Sequence, residues 1–136
     1  MEQKRKLVLM GNDAVGEAAL RCGCTFFAGY PISPQTQILD YLAREMPKRG
    51  CTFLQADSEL GAINMVIGAS IAGARALTVS SSTGLALMYE AFAAAADGEF
   101  PMVIMDVTRE GADKPNIGDA TPAPTETPAP TDEPTQ

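Results

Sequence analysis

Apolar residues in this chain follow two rhythms: short unbroken runs, and longer stretches in which they recur every three or four positions. The first suits strands covered on both faces, and the second suits helices that bury one side. The run KLVLM (6–10), ended by Gly11, predicts a first strand. NDAVGEAALRCG then carries Ala14, Val15, Ala18 and Ala19 at helical spacing, with acids early and Gly23 where a helix stops. CTFFAGY (24–30) is again strand-like, and PISP blocks regular structure after it because each proline lacks an amide donor. Thr36 is placed to cap the helix QILDYLAREM, which Pro47 and Gly50 close. The third strand is CTFLQA (51–56), and the third helix runs from about Ser58 to Ala72. ALTVS (76–80) is the fourth strand, a fourth helix begins near Gly84, and MVIMDV (102–107) is the fifth strand.

Strands alternating with helices at this spacing predict an α/β fold, a three-layer, doubly wound and mainly parallel sheet. Gly68, Ala72 and Gly73 would let the third helix approach the sheet or a partner closely. From Asp119 the text changes to DATPAPTETPAPTDEPTQ, with five prolines, five threonines and no hydrophobic period. That composition predicts a disordered tail over 119–136 following one domain over 1–118.

Charge and cysteine usage narrow the function classes. Four of the 17 acidic residues and none of the ten bases lie beyond Gly118, so the body is only mildly acidic. Its bases are scattered and its aromatics few, which argues against nucleic acid as a partner. Cys22, Cys24 and Cys51 make an odd count without C-x-x-C spacing, as expected of reduced thiols in a cytoplasmic protein. Four apolar residues after KRK fall short of a signal-peptide core. The weakly polar run from Ala62 to Ser80 is interrupted by Asn64, Gly68, Gly73 and Arg75, which argues against a membrane span.

In an open parallel sheet, ligands bind beyond the carboxyl ends of the strands. The segments expected there are GND, GYPISPQT, DSELGA, SSSTG and TREG. The chain has no histidine, which removes histidine triads and imidazole metal sites within it. GNDAVG is neither a dinucleotide fingerprint nor a P-loop, and no G-x-S-x-G elbow occurs. Glu59 then has two readings. It either complements the helix dipole beside a Ser58 cap, or it is a desolvated carboxyl able to exchange a proton with a ring nitrogen. Arg109 either pairs at the surface with Glu110 or Asp106, or grips a substrate carboxylate in bidentate fashion. Ser33, between Ile32 and Pro34, and the hydroxyls from Ser80 to Thr83 are either ordinary loop residues or donors at the same sheet edge.

Taken in order, GYPISPQTQI, FLQADSELGAINMVIGASIAGARALTVSSSTGLALMYE and PMVIMDVTREG resemble the pyrimidine-binding domain of 2-oxoacid:ferredoxin oxidoreductases, thiamine-diphosphate enzymes of the pyruvate and 2-oxoisovalerate types. The resemblance covers about residues 6–117. It implies the thiamine-diphosphate-binding fold and an oxidative decarboxylation of a 2-oxoacid to an acyl-CoA, with electrons passing to ferredoxin. Glu59 would bond the aminopyrimidine ring of thiamine diphosphate and favour its imino tautomer. Ser33, where the family usually has threonine, would offer its hydroxyl to the substrate's carboxylate or keto oxygen. Arg109 would bind that carboxylate, and Ser81, Ser82 and Gly84 would line the cofactor pocket.

The same resemblance exposes departures. Family subunits continue into further domains, and the expected R-G-G-P-G-L-G-N-I continuation is here REGADKPNIG. No G-D-G motif is present, so the diphosphate end, magnesium and iron–sulfur clusters of the 4Fe-4S kind are expected on partner subunits, one diphosphate-binding and one ferredoxin-like. FFAGYPISPQTQI, TFLQADSE and AINMVIGA lean toward the branched-chain type, whose substrate is 3-methyl-2-oxobutanoate. Two other readings stand beside this one: a non-catalytic assembly module, and an inactive truncated fragment of such a subunit.

Overall fold

The apolar runs at 26–29, 52–55, 76–80 and 102–106 become the strands of one parallel sheet in the computed structural model, which describes residues 8–108. In chain order the elements are α1 (Gly11–Arg21), β1 (Phe26–Gly29), α2 (Thr36–Glu45), a 3-10 turn (Pro47–Arg49), β2 (Thr52–Gln55), α3 (Glu59–Ile71), β3 (Ala76–Ser80), α4 (Ser82–Leu87), α5 (Tyr89–Asp97) and β4 (Met102–Asp106). Strand order is β2-β1-β3-β4. Every residue of β3 is buried, as a central strand covered on both faces requires.

Two apolar clusters lie on opposite faces of the sheet. On one, Ile38, Leu39 and Leu42 of α2 pack with Phe27, Leu77 and Val79, and Val15 and Ala19 of α1 lie against them. The Phe27 and Phe53 rings stack at 5.4 Å between centroids. On the other face Val66 of α3 packs on Ala28 and Ala76. Helices therefore cover both faces, and the three-layer α/β arrangement is as the alternating pattern predicts. Gly29, the last residue of β1, leaves room for the Phe27 ring, which a Cβ there would meet at 2.7 Å.

A polar cluster ties α1 to α2 and the 3-10 turn. The buried Glu17 carboxylate accepts from Arg21 Nε at 2.8 Å, Tyr41 OH at 2.9 Å and Arg49 Nη2 at 2.6 Å. The Arg21 hydrogen bond, opposed by burial and reinforced by Tyr41 and Arg49, holds this carboxyl down at about 2.

Three local expectations are corrected. Residues 8–10 form no strand, and Val8 and Met10 are 99% and 73% exposed. An apolar run needs a neighbouring ladder and a surface to bury, and Met10 instead enters α1 at its N-cap position. The described residues thus contain four strands, not five. Thr36 is the first helical residue of α2 rather than its cap; Gln35 holds that place without a side-chain capping bond. The fourth helix begins at Ser82 rather than near Gly84, and it is two helices, α4 and α5, that meet at Met88. The Thr/Pro-rich stretch 119–136 lies outside the described residues.

β4 is an edge strand among the described residues, and its Val103 is 56% exposed.

Candidate functional site

β1 hydrogen-bonds β2 on one side and β3 on the other. The chain leaves β1 toward α2 on one face of the sheet and leaves β3 toward α4, which with α5 packs beside α3 on the other. Loops that diverge in this way open a crevice at the carboxyl ends of β1 and β3, the switch point where α/β sheets bind ligands. The loop carrying Ser33 and the turn carrying Ser81 and Ser82 flank that crevice, and α3 begins beside them.

Glu59 is the first residue of α3 and is 8% exposed. Ser58 caps the helix, its Oγ accepting from Gly61 N at 3.0 Å, so the backbone direction at Glu59 is set locally. The side chain runs toward α4. A Cβ on Gly84 would lie 2.9 Å from Glu59 Cγ and 3.0 Å from its Oε1, and would overlap Ser80 Oγ outright. Glycine at 84 is thus the condition for Glu59 and Ser80 to close over α4. No cation among the described residues pairs with Glu59, so its charge is left to the helix N-terminus and to whatever enters the crevice.

The loop after β1 is held from two sides. Asn12 Nδ2 donates to Pro34 O at 2.8 Å and to Gln37 Oε1 at 2.9 Å, which ties it to α1 and α2. Gln35, fully buried, donates from Nε2 to Tyr30 O at 2.8 Å. The Ser33–Pro34 peptide is cis, and Ser33 is exposed. A clamped loop thus presents a hydroxyl outward.

Behind the crevice, polar side chains sit where an apolar core would serve as well. Ser81 and Ser82 are buried at 7% and 8% exposure. Thr78 Oγ1, Ser80 Oγ, Gln35 Oε1 and Asp106 Oδ1 are buried without a hydrogen-bond partner among the described residues. Burial pushes the Asp106 carboxyl above its ordinary range.

The structure brings Glu59 against Gly84 beside Ser81 and Ser82, with Ser33 across the switch point; Arg109 lies outside the described residues. Residue reading missed Asp106 as more than a partner for Arg109, and it missed Gln35 and Asn12. Asp106 did carry a signal, as the one charged residue inside MVIMDV. A cleft of about 660 Å3 lies at the opposite, amino-terminal edge of the strands, lined by Val15, Ala18, Cys22, Leu77, Met102 and Val103. Its lining is mostly apolar, with Ser70 and Arg75 its polar exceptions, whereas the carboxyl edge gathers a buried carboxyl and several hydroxyls and is the better candidate. No helix among the described residues is long and apolar enough to cross a membrane. No group of three or more His, Cys, Asp or Glu among them is arranged to hold a metal.

Comparison with known proteins gives a family and several relatives. The family described as "Pyruvate flavodoxin/ferredoxin oxidoreductase, thiamine diP-bdg" matches residues 17–121. The chain is 44% identical over 115 residues to the 2-oxoglutarate synthase subunit KorA of Methanocaldococcus jannaschii, covering 85% of this chain and 31% of that one. It is 45% identical over 111 residues to the ketoisovalerate oxidoreductase subunit VorB of Methanothermobacter thermautotrophicus, covering 82% and 32%. Among solved structures, the 2-oxoglutarate:ferredoxin oxidoreductase of Magnetococcus marinus, with 2-oxoglutarate, coenzyme A and succinyl-CoA bound, superposes with a TM-score of 0.76 at 41% identity. That match covers 82% of this chain and 19% of the other. The chain thus spans about a third of the length of these curated relatives.

Proposed function

Because the chain belongs to the pyruvate flavodoxin/ferredoxin oxidoreductase family, in its thiamine diphosphate-binding region, we propose that it supplies the aminopyrimidine half of a thiamine diphosphate site in a 2-oxoacid:ferredoxin oxidoreductase. The substrate is a 2-oxoacid oxidatively decarboxylated to an acyl-CoA, with electrons leaving to ferredoxin. The observation that carries this reading is Glu59: a nearly buried, cation-free carboxyl at a strand's carboxyl end, packed into the space that Gly84 leaves open.

The residues present fit the pyrimidine end of this cofactor. Gly84 lets the Glu59 carboxyl pack against α4, Glu59 can hold a proton at a ring nitrogen, and the buried hydroxyls of Ser81 and Ser82 border the same turn. When bound, thiamine diphosphate supplies the nucleophilic carbon and the electron sink for decarboxylation. Ser33, presented outward by its clamped loop, donates to the substrate's carboxylate or keto oxygen. Arg109 binds the substrate carboxylate with its guanidinium. The diphosphate end, magnesium and iron–sulfur clusters belong to partner subunits in this reading, as do the coenzyme A and ferredoxin contacts.

Relatives named for 2-oxoglutarate and for ketoisovalerate match at 44% and 45% identity, so overall similarity does not separate the two side chains, and the branched-chain substrate rests on the motif wording alone. The test is Glu59→Gln in the assembled complex. Turnover falls about 10²–10⁴-fold, the range of a lost general acid or base, while the denaturation midpoint of the chain stays close to the parent's. Unchanged turnover removes the role.

A further inference from the structure

Three buried polar atoms on one face of β3 and β4 have no hydrogen-bond partner among the described residues: Thr78 Oγ1, Ser80 Oγ and Asp106 Oδ1. Thr78 and Ser80 are 0% and 1% exposed, and buried polar groups are ordinarily satisfied. Val79, Met105 and Val107 point to the α1 and α2 side. By strand alternation, Thr78, Ser80 and Asp106 therefore point to the side of α3, α4 and α5.

Ser80 is the shared neighbour. Ser80 and Asp106 are register partners across β3 and β4, so their side chains stand next to each other on that face. Toward α4, Ser80 Oγ and Glu59 Oε1 converge on the same point above Gly84. We propose that Ser80 and Asp106 form a positioning relay behind Glu59, in which rotation of the Ser80 side chain brings its hydroxyl, unpartnered in this geometry, into hydrogen bonds with Asp106 and with the Glu59 carboxyl over Gly84. The proposal deepens the thiamine diphosphate reading and rests on Glu59 facing the pyrimidine.

The hydrogen-bond inventory lets Ser80 serve both carboxyls, Asp106 and Glu59, with Thr78 Oγ1 standing outside the relay. A serine hydroxyl donates once and accepts twice, and a neutral carboxyl donates once. A protonated carboxyl donates and an ionised one accepts, so Ser80 bridges the Asp106 and Glu59 side chains whenever one of the two carries a proton, and burial raises the proton affinity of Asp106. The charge on Glu59 is thereby steadied without a cation in the crevice. Around Asp106, α3 brings only Glu59 as an ionisable group, β3 and α4 bring only hydroxyls, and Tyr89, Glu90 and Asp97 of α5 are exposed. The coupling therefore runs through Ser80 among the described residues.

Carbon-13 NMR titration of the full 136-residue chain, labelled at Asp and Glu side-chain carboxyls, tests this directly. The Glu59 signal of the parent chain shows an inflection at the Asp106 midpoint. Asp106→Asn removes that inflection, Ser80→Ala removes it while Asp106 still titrates, and Ser80→Thr, which keeps the hydroxyl, restores it. A Glu59 signal blind to Asp106, or an inflection that survives Ser80→Ala, overturns the relay. A coupling present while Glu59→Gln keeps full turnover supports the relay and overturns only the cofactor reading. Loss of turnover in Glu59→Gln without any coupling overturns the relay alone.

Discussion

Glu59 at the head of α3 and Gly84 in α4 are in contact across two helices, the carboxyl Oε1 lying 3.0 Å from where a Cβ on residue 84 would stand. The turn after β2 and the turn after β3 therefore act as one unit, and each sets the shape available to the other.

Gly84→Ala forces the issue. The added methyl meets Ser80 Oγ and Glu59 together, so the carboxyl must swing out of its place. Overpacking of this kind costs about 1–3 kcal/mol of stability, and in the assembled complex it weakens thiamine diphosphate binding at least tenfold. Calorimetric titration with the cofactor and urea denaturation separate the two effects; unchanged affinity would mean that this contact does not shape the site.

Ser58→Ala removes the cap of α3 by deleting the acceptor for Gly61 N. The expected loss is about 0.5–2 kcal/mol, and Ser58→Asp retains most of the stability because its carboxylate accepts the same bond and suits the helix N-terminus. Denaturant midpoints of the two variants check the order parent, Asp, Ala.

Ser33→Ala leaves the fold untouched, since Ser33 is exposed. If its hydroxyl meets the 2-oxoacid, the KM for that acid rises about tenfold, the worth of one charge-assisted hydrogen bond, while cofactor affinity stays constant. Steady-state kinetics of the assembled complex give both values, and an unchanged KM would strip the residue of substrate contact.

Glu17 makes stability depend on acid. Its carboxyl is held at about 2 against an ordinary 4.5, chiefly by the Arg21 hydrogen bond and despite burial. A depressed folded-state value means the contribution is fully present above about 4.5 and is lost as pH falls from there toward 2. Because Arg21 and Arg49 are 62% and 37% exposed, solvent screening limits the gain, and Glu17→Gln costs about 1–3 kcal/mol at neutral pH. Urea midpoints measured between pH 2 and 7 show a slope in the parent that flattens in the variant.

Elements whose signal is local were legible before any coordinates. β3 matches ALTVS residue for residue, because a short run rich in apolar and β-branched residues between Arg75 and the serines that follow reads as a strand. Glu59 stood out for the same reason: an acid between an apolar strand and an apolar helix has few inexpensive places to go. The misses needed information from afar. Residues 8–10 are as apolar as any strand, but no neighbouring strand receives them. Glu17 meets Arg49 across 32 positions, and Asp106 meets Ser80 only once β3 and β4 are aligned. Composition cannot announce such meetings.

Among the described residues, β4 leaves one row of peptide groups facing away from β3, with Val103 uncovered beside it. An unoccupied ladder of this sort is a template: a further extended segment can zip onto it without disturbing the four strands already paired. Isolated chains meeting edge to edge would satisfy the same groups with each other, so concentration-dependent self-association is the hazard to guard against in any preparation of this domain alone.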